Sequence, residues 1–305
     1  MPAAPPPQST RASVLIPFGI VTLVWGSTWL VITGQLGVVP ASWSVAYRFV
    51  VAGIAMLGWA AYRGELARLD ARGWLFATLV GVTQFCLNFN FVYRAEGFIT
   101  SGLVAVIFGL LLVPNAILGR IFLGQRMGGQ LLVGSVIAIL GVALLFLHEV
   151  RSDPSGTAAL FAGIGLTLGA ILSASVANIL QGTATARRYP MTGTLGIAML
   201  IGAGVNAGYA WATTGAPVIV ASPRYWAGVL YLGIVASALA FPLYFGVLRT
   251  IGAAKAAYSG VIVPVIAMLL STLFEGYRWS LLAAGGAGLV MVGLVIALSA
   301  RRPNR

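Results

Sequence analysis

The chain has 305 residues, of which 59% are hydrophobic and only 8% are charged. Soluble domains carry roughly 25% charged residues, so this composition excludes an ordinary water-soluble protein. The net charge of +12 comes from basic residues scattered over short connections, and it therefore indicates membrane topology rather than a nucleic-acid partner.

Ten apolar runs follow one another along the chain, separated by short connections. A helix needs on the order of 20 apolar residues to cross a bilayer, so we predict an all-α polytopic membrane protein embedded in lipid. Residues 1–13 are rich in proline and are predicted to form a disordered cytoplasmic tail, and residues 301–305 form a second tail. The predicted helices cover residues 14–33, 43–62, 74–93, 98–118, 130–147, 157–180, 193–214, 225–248, 255–273 and 280–300.

One stretch of the sequence occurs twice. With a shift of 152 positions and no gap, Arg72 aligns with Arg224, and residues 72–146 have fourteen identities in seventy-five positions. The biased composition alone would give roughly half that number, so we infer an internal duplication. Further matches join Trp74, Gly81, Phe89, Gly124, Arg126, Gly134 and Gly141 to Trp226, Gly233, Phe241, Gly276, Arg278, Gly286 and Gly293.

The duplication predicts a mechanism. The shift moves along the chain by five helices, an odd number, so residues 14–147 and 157–300 are predicted to be two five-helix repeats of inverted topology. Inverted repeats are a recurring design of secondary transporters, which bind their substrate near the midplane. The alternative is a duplicated bundle without a transport role. Alternate connections hold thirteen basic residues against four, which predicts cytoplasmic termini in a bacterial-type inner (plasma) membrane.

Several short segments resemble those of a known family. They are Trp25-Gly26-Ser27-Thr28-Trp29, Tyr47-Arg48-Phe49-Val50-Val51-Ala52, Leu123-Gly124-Gln125-Arg126 and Phe274-Glu275-Gly276. Through them the chain resembles the EamA type of the drug/metabolite transporter superfamily over nearly its whole length. Within that family it is most similar to the YddG-type exporters of aromatic amino acids. Gln125 stands where the family commonly has Glu, so no role of that acid is expected in this chain.

The resemblance implies ten transmembrane helices in two inverted repeats. It also implies export of small amphipathic metabolites, with neutral or aromatic amino acids as the expected substrates, by alternating access around a central cavity. The chain is then a transporter and not an enzyme.

Polar residues within the apolar runs are the first candidates for substrate binding. Arg48 is the one full charge predicted to lie within the bilayer, where an unpaired charge is costly; it either attracts a substrate carboxylate or stabilises the outer mouth. Gln84 and Asn88 are four residues apart, so they share a helix face, and Asn90 lies nearby. The duplication aligns these amides with Ala or Pro, which favours ligand contact over helix adhesion. Asn178 on the sixth helix is a further candidate.

Aromatic residues form the second group of candidates. Trp25 and Trp29 share one face of the first helix, and Tyr47, Tyr244 and Tyr258 place phenol groups within or near apolar runs. Trp and Tyr near the water interface usually belong to the aromatic belt, but Trp25 lies near the middle of its helix. A pocket lined by rings suits an apolar or aromatic solute.

Proline and glycine predict hinges and packing. Pro114, Pro242 and Pro264 lie inside predicted helices, where each removes a backbone hydrogen bond and permits a kink. The fifth and tenth helices are apolar and contain glycine, so they are assigned to close packing or to a dimer contact. The chain is accordingly predicted to be a monomer or a homodimer.

Some chemistry is missing from the sequence. Its six carboxylates lie in connections or at helix ends, its one histidine, His148, lies at the end of the fifth helix, and its single cysteine, Cys86, cannot form a disulfide within the chain. We predict no cofactor, no metal and no ATP site. Proton pumps usually use buried titratable side chains, so a facilitator is expected. Two alternatives remain: a carrier of phosphate-bearing metabolites, with Lys255 beside Arg249 as an anion site, and an intramembrane hydrolase that uses His148.

Overall fold

The computed structural model describes residues 11–125, 128–152, 156–251 and 259–299, and all regular secondary structure in these ranges is helical. The first seven long helices are α1 (Arg11–Thr33), α2 (Ala41–Arg63), α3 (Ala71–Ala95), α4 (Ser101–Leu123), α5 (Gly129–Ser152), α6 (Thr157–Gln181) and α7 (Met191–Thr214). The last three are α8, which is composed of Pro223–Leu230, Tyr231–Leu239 and Ala240–Ile251, then α9 (Ser259–Phe274) and α10 (Leu281–Leu298). A short helix, Ala184–Arg188, joins α6 to α7.

Eight of these helices, α1 to α8, are long and apolar enough to cross a membrane, and α9 and α10 are shorter apolar helices. The chain is therefore a multi-pass membrane protein. The sequence predicted a helix close to each of these ten, but it did not predict the short helix Ala184–Arg188. The predicted start of the ninth helix, at residue 255, lies outside the described residues.

Helix ends follow from local capping residues. The helices α3, α8 and α10 begin after Asp70, Ser222 and Ser280, whose side-chain oxygens each accept the backbone N–H three residues ahead. The helices α2 and α4 end at Gly64 and Gly124, which have φ values of 68° and 64°. Glycine adopts this left-handed conformation without a steric penalty, so it terminates helices readily.

Contacts between connections define two ends of the bundle. Asp70, between α2 and α3, accepts a hydrogen bond from Tyr189 and pairs with Arg188, both between α6 and α7. We refer to this end, where α1 begins, as the terminal end. At the other end Thr33, the last residue of α1, contacts Glu96 after α3. That end is the distal end, and successive helices run between the two.

The helices α5 and α10 pack on each other through glycine. A Cβ atom built on Gly134 would lie 2.4 Å from the carbonyl oxygen of Gly293, and one on Gly141 would lie 2.6 Å from that of Gly286. Only glycine allows backbones to approach this closely. The predicted packing role of these two helices is therefore confirmed.

Two helices contain a π-helical segment. These are Gly81–Asn88 within α3 and Tyr231–Leu239 within α8. A π segment inserts an extra residue into the helical ladder, which changes the direction of the side chains that follow, and such segments occur frequently at functional sites.

Two of the three prolines that were predicted to permit kinks lie close to irregular helical backbone. Pro114 comes three positions after a 3₁₀ turn, Gly109–Leu111, and Pro242 comes three positions after the π segment of α8. Because proline donates no backbone hydrogen bond, each helical ladder is interrupted at these points. Pro264 lies inside α9.

Candidate functional site

A cavity of 140 Å³ lies among the helices near the middle of the bundle. Its volume is close to that of an engineered cavity, about 150 Å³, that binds benzene. Lining residues such as Asn115, Tyr244 and Leu294 lie in the halves of their helices nearer the terminal end, so the cavity extends toward that end. Its polar lining residues are Thr28, Arg48, Gln84, Asn88, Asn115 and Asn178, and its rings are Trp25, Trp29, Phe89, Phe108, Phe241 and Tyr244.

Arg48 is the cation among the described lining residues, and only 1% of its surface is exposed. Its Nε donates to Ser237 Oγ at 3.1 Å, and its guanidinium carbon lies 4.2 Å from the centre of the Phe89 ring. Its Nη1 has no hydrogen-bond partner within the described part. A buried charge with a free N–H strongly favours an anionic partner. The side chain is therefore buried within the bundle and does not reach water.

Gln84 and Asn88 both face the cavity from the π segment of α3 and are buried. Asn88 Oδ1 has no hydrogen-bond partner in the described structure. Asn90 points elsewhere: it bonds with Ser42 and Asn206, away from the cavity. Two of the three predicted amides therefore reach the cavity, and the third joins helices.

Aromatic rings form one wall of the cavity. The Trp25 ring lies 4.9 Å from Tyr244 and 5.4 Å from Phe241, and its Nε1 donates to the carbonyl of Ala236 at 3.1 Å. Trp29 lies edge-on to another ring of the lining, and its Nε1 has no partner in the described part. Such a wall offers apolar contact and a few directed polar atoms, as ligand pockets commonly do.

Some predicted site residues do not lie in the cavity. Tyr47 packs against Trp43 and Trp226, and its hydroxyl donates to the Val218 carbonyl at 3.2 Å. Adjacent residues on a helix point about 100° apart, so Tyr47 and its neighbour in sequence, Arg48, face different surroundings. Tyr258 lies outside the described residues.

Asn178 does face the cavity, where its amide donates to Asn115 Oδ1 at 3.4 Å. Asn115, Phe89 and Phe241 also line the cavity and were not predicted from the sequence. The two phenylalanines had a signal, because the duplication aligns one with the other. Asn115 had no such signal, since the duplication aligns it with an alanine, Ala267.

A second polar cluster lies at the distal end. Glu96 is the residue after α3, as the sequence indicated, yet it is only 7% exposed. Thr33 Oγ1 lies 2.9 Å from a carboxyl oxygen of Glu96 and 2.9 Å from one of Glu275. Burial raises the pKa of the Glu96 carboxyl well above its usual range. Glu96 lies at a helix end, where the sequence placed it, and does not line the cavity, so the facilitator stays a prediction.

Of the residues behind the two alternative functions, His148 does not line the cavity. His148 Nδ1 contacts Ser280 Oγ at 2.9 Å, but Ser280 also accepts the Ala283 N–H as the cap of α10. This serine therefore has a structural function at the distal end, outside the cavity. Lys255 lies outside the described residues.

Comparisons with known proteins agree over most of the chain. A model of the EamA-like transporter family matches residues 14–147 and 161–299. Protein PagO of Salmonella typhimurium is 24% identical over 95% of this chain and 94% of its own length, and an uncharacterized transporter of Archaeoglobus fulgidus is 25% identical over 69% and 72%. A solved crystal structure has the same fold, with a TM-score of 0.69 and 19% identity over 94% of this chain and 98% of that chain.

Proposed function

Because the chain belongs to the EamA-like transporter family, we propose that this membrane transporter exports small amphipathic metabolites, and that neutral and aromatic amino acids are its substrates. Transport proceeds by alternating access around the cavity that contains Arg48. The similarity to PagO and to uncharacterized transporters supports transport in general. The choice of substrate rests on the cavity itself.

The observation that carries this choice is a pair of free polar atoms in one cavity. Arg48 Nη1 is a donor without a partner, and Asn88 Oδ1 is an acceptor without a partner, among the described residues. A zwitterionic amino acid satisfies both, since its carboxylate accepts hydrogen bonds and its ammonium donates them. Its side chain then contacts the rings of Trp25 and Tyr244.

The same cavity fits a phosphate-bearing metabolite less well. A phosphate monoester carries close to two negative charges at neutral pH, and Arg48 is the one cation among the described lining residues. An amino-acid carboxylate carries one charge, which this guanidinium balances. We therefore favour amino acids over phosphorylated substrates.

The test is uptake of radiolabelled L-phenylalanine and L-leucine into proteoliposomes, with unlabelled phenethylamine, 3-phenylpropionate and glucose 6-phosphate as competitors. Arg48→Lys should lower uptake roughly tenfold or more, because a hydrogen bond to a charged group contributes roughly 1.5–3 kcal/mol. Tyr47→Phe is the matched control, next to Arg48 but outside the cavity, and should transport normally. The proposal would be contradicted if neither amino acid were taken up. It would also be contradicted if glucose 6-phosphate competed more strongly than phenethylamine and 3-phenylpropionate do.

We also propose that the ten helices form two inverted-topology repeats. Two observations support this arrangement: a symmetric pair of glycine contacts and the positions of the π segments. A two-fold axis that relates Gly134 to Gly286 and Gly141 to Gly293 turns the contact between Gly134 and Gly293 into the one between Gly141 and Gly286, and both are present. The two π segments also occupy aligned positions of the duplication.

Cytoplasmic termini in the inner membrane complete the proposal. The cavity then opens toward the cytoplasm, and the distal end, which Glu96 helps to close, faces outward. Impermeant thiol labelling of single cysteines in a Cys86→Ser background tests this orientation. A cysteine beside Arg94 should react from outside intact cells, and one beside Arg188 should not; the opposite pattern would reverse the orientation. Whether the protein is a monomer or a homodimer stays a prediction.

A further inference from the structure

The distal end contains two carboxyl groups that contact one hydroxyl group. Thr33 Oγ1 lies 2.9 Å from Glu96 Oε2 and 2.9 Å from Glu275 Oε1. A hydroxyl carries a single hydrogen, and an ionised carboxylate carries none. If the two contacts are separate two-centre hydrogen bonds, at least one carboxyl group is protonated. The hydroxyl also lies 3.2 Å from the Trp29 carbonyl; if it donates there, both carboxyl groups must be protonated.

The surroundings indicate which carboxyl group holds the proton. Glu275 Oε2 accepts the Ser101 N–H at 3.2 Å and the Ser271 hydroxyl at 2.5 Å. Three donors, including Thr33, therefore stabilise Glu275 as an anion. Glu96 contacts Thr33 through its Oε2, and its Oε1 has no partner in the described structure. The consistent arrangement is a neutral Glu96 that donates to Thr33, which in turn donates to Glu275.

Few charged groups act on Glu96 from the elements packed around it. The charged or titratable groups that act on Glu96 are Arg48 on α2, Tyr93 on α3 and Glu275 between α9 and α10. Arg48 is held by Ser237 and by an aromatic ring rather than by a carboxylate pair. Glu96 is therefore not fixed as the anion of a buried salt bridge, and its charge can change.

Unpartnered polar atoms point to a site that exchanges with solvent. Glu96 Oε1, Gln35 Nε2 and Ser101 Oγ have no hydrogen-bond partner in the described part, and each side chain is more than nine-tenths buried. Buried polar groups are nearly always satisfied by protein or by ordered water. Water that satisfies these three atoms of the distal end would also exchange protons with Glu96.

We propose that Glu96 and Glu275 form a proton-binding site which holds the distal end closed when it binds one proton. Loss of that proton to water from Glu96 leaves two carboxylates on either side of Thr33, and their repulsion separates the end of α3 from the α9–α10 connection. The distal end then opens. The opening step rests on the proposed transport function, whereas proton binding itself does not.

Infrared difference spectroscopy of the full-length protein in lipid vesicles tests proton binding without any substrate. The wild type should have a protonated-carboxyl C=O band that disappears as the pH rises. The band should be absent in Glu96→Gln. In Glu275→Gln it should disappear at lower pH, because the negative neighbour is lost, while the amide oxygen still accepts a hydrogen bond. Glu65→Gln, which changes an exposed carboxylate at the terminal end, is the matched control and should titrate like the wild type.

A band that persists in Glu96→Gln, or a midpoint that does not fall in Glu275→Gln, overturns the assignment. The same vesicles then test the opening step by L-phenylalanine counterflow. Glu96→Gln mimics the protonated acid, so counterflow should be lost in this variant and normal in Glu65→Gln. Normal counterflow by Glu96→Gln overturns the gating. Absence of counterflow in the wild type, with the infrared result intact, contradicts only the proposed substrate.

Discussion

The two π segments have the same backbone distortion and different side-chain chemistry. The segment of α3 places Gln84 and Asn88 in the cavity, whereas the aligned positions of α8 are Ala236 and Ala240, both fully buried. The distortion therefore does not depend on the amides. The comparison teaches that the backbone distortion and the polar groups of this site have separate origins, and that of the two segments the one in α3 places amides in the cavity.

The α8 segment acts on the same cavity indirectly. Its Ala236 carbonyl accepts the indole N–H of Trp25, and its Ser237 hydroxyl accepts the Nε of Arg48. The hydroxyl of Ser237 donates in turn to the Leu232 carbonyl, five residues earlier, at 2.7 Å. The α3 segment therefore supplies amides to the cavity lining, and the α8 segment holds two other lining side chains, Trp25 and Arg48, in place.

The largest expected effect separates ligand contact from structure within α3. The double variant Gln84→Ala with Asn88→Ala should lower L-phenylalanine uptake by up to about a hundredfold, since each lost hydrogen bond costs about 1 kcal/mol and more if a partner is stranded. Thermal stability in detergent should be unchanged or higher, because Asn88 Oδ1 is unpartnered in the described structure.

The third amide of the same stretch is the control for this experiment. Asn90 bonds with the Cys86 carbonyl and with Ser42, so Asn90→Ala should lower the melting temperature. If Asn88→Ala destabilises the protein as much as Asn90→Ala does, Asn88 is a structural residue and the contrast between the two π segments loses its functional meaning.

A smaller effect concerns the glycine near the start of each segment. A Cβ on Gly81 would lie 2.6 Å from the carbonyl oxygen of Ala198, whereas one on Gly233 would lie 2.8 Å from a methyl group of Val51 and 3.0 Å from the nearest backbone atom, the Arg48 carbonyl oxygen. A side chain can rotate away and a backbone cannot, so Gly81→Ala should cost roughly 1–3 kcal/mol of unfolding free energy, and Gly233→Ala less.

Titration with a denaturing detergent measures both glycine variants. Gly58→Ala serves as the control, because a Cβ at that position meets no atom within 4 Å. Equal losses for Gly81→Ala and Gly233→Ala would mean that the two segments pack with the same tolerance.

The smallest expected effect concerns the aligned phenylalanines. Phe241 lies 5.2 Å from Phe85 and 5.4 Å from Trp25, so Phe241→Leu should lower stability by about 0.5–1.5 kcal/mol for each lost ring pair. Phe89 supports the Arg48 guanidinium, and Phe89→Leu should instead reduce uptake a few-fold, since such a contact contributes about 0.5–2 kcal/mol. Paired melting and uptake measurements check this; the reverse pattern would exchange the two roles.

Much of the site was predictable because periodicity determines which residues share a helix face. Trp25 with Trp29, and Gln84 with Asn88, were paired by their spacing of four, and both pairs line the cavity. Arg48 was selected because a charge within an apolar run needs a partner. Periodicity within one helix cannot say which neighbouring helix that face meets, so Asn115 was missed.

The sequence by itself determined the class of the protein and the extent of its helices, because hydrophobic length and capping residues act locally along the chain. It also supplied the duplication from which inverted repeats stay a prediction. Only the tertiary structure decided that Tyr47 and Asn90 face away from the cavity and that Glu96 is buried at a helix end. Burial and hydrogen-bond partners come from helices distant in sequence, as when Thr33 brings Glu96 and Glu275 together. No spacing along a single chain segment encodes such a meeting.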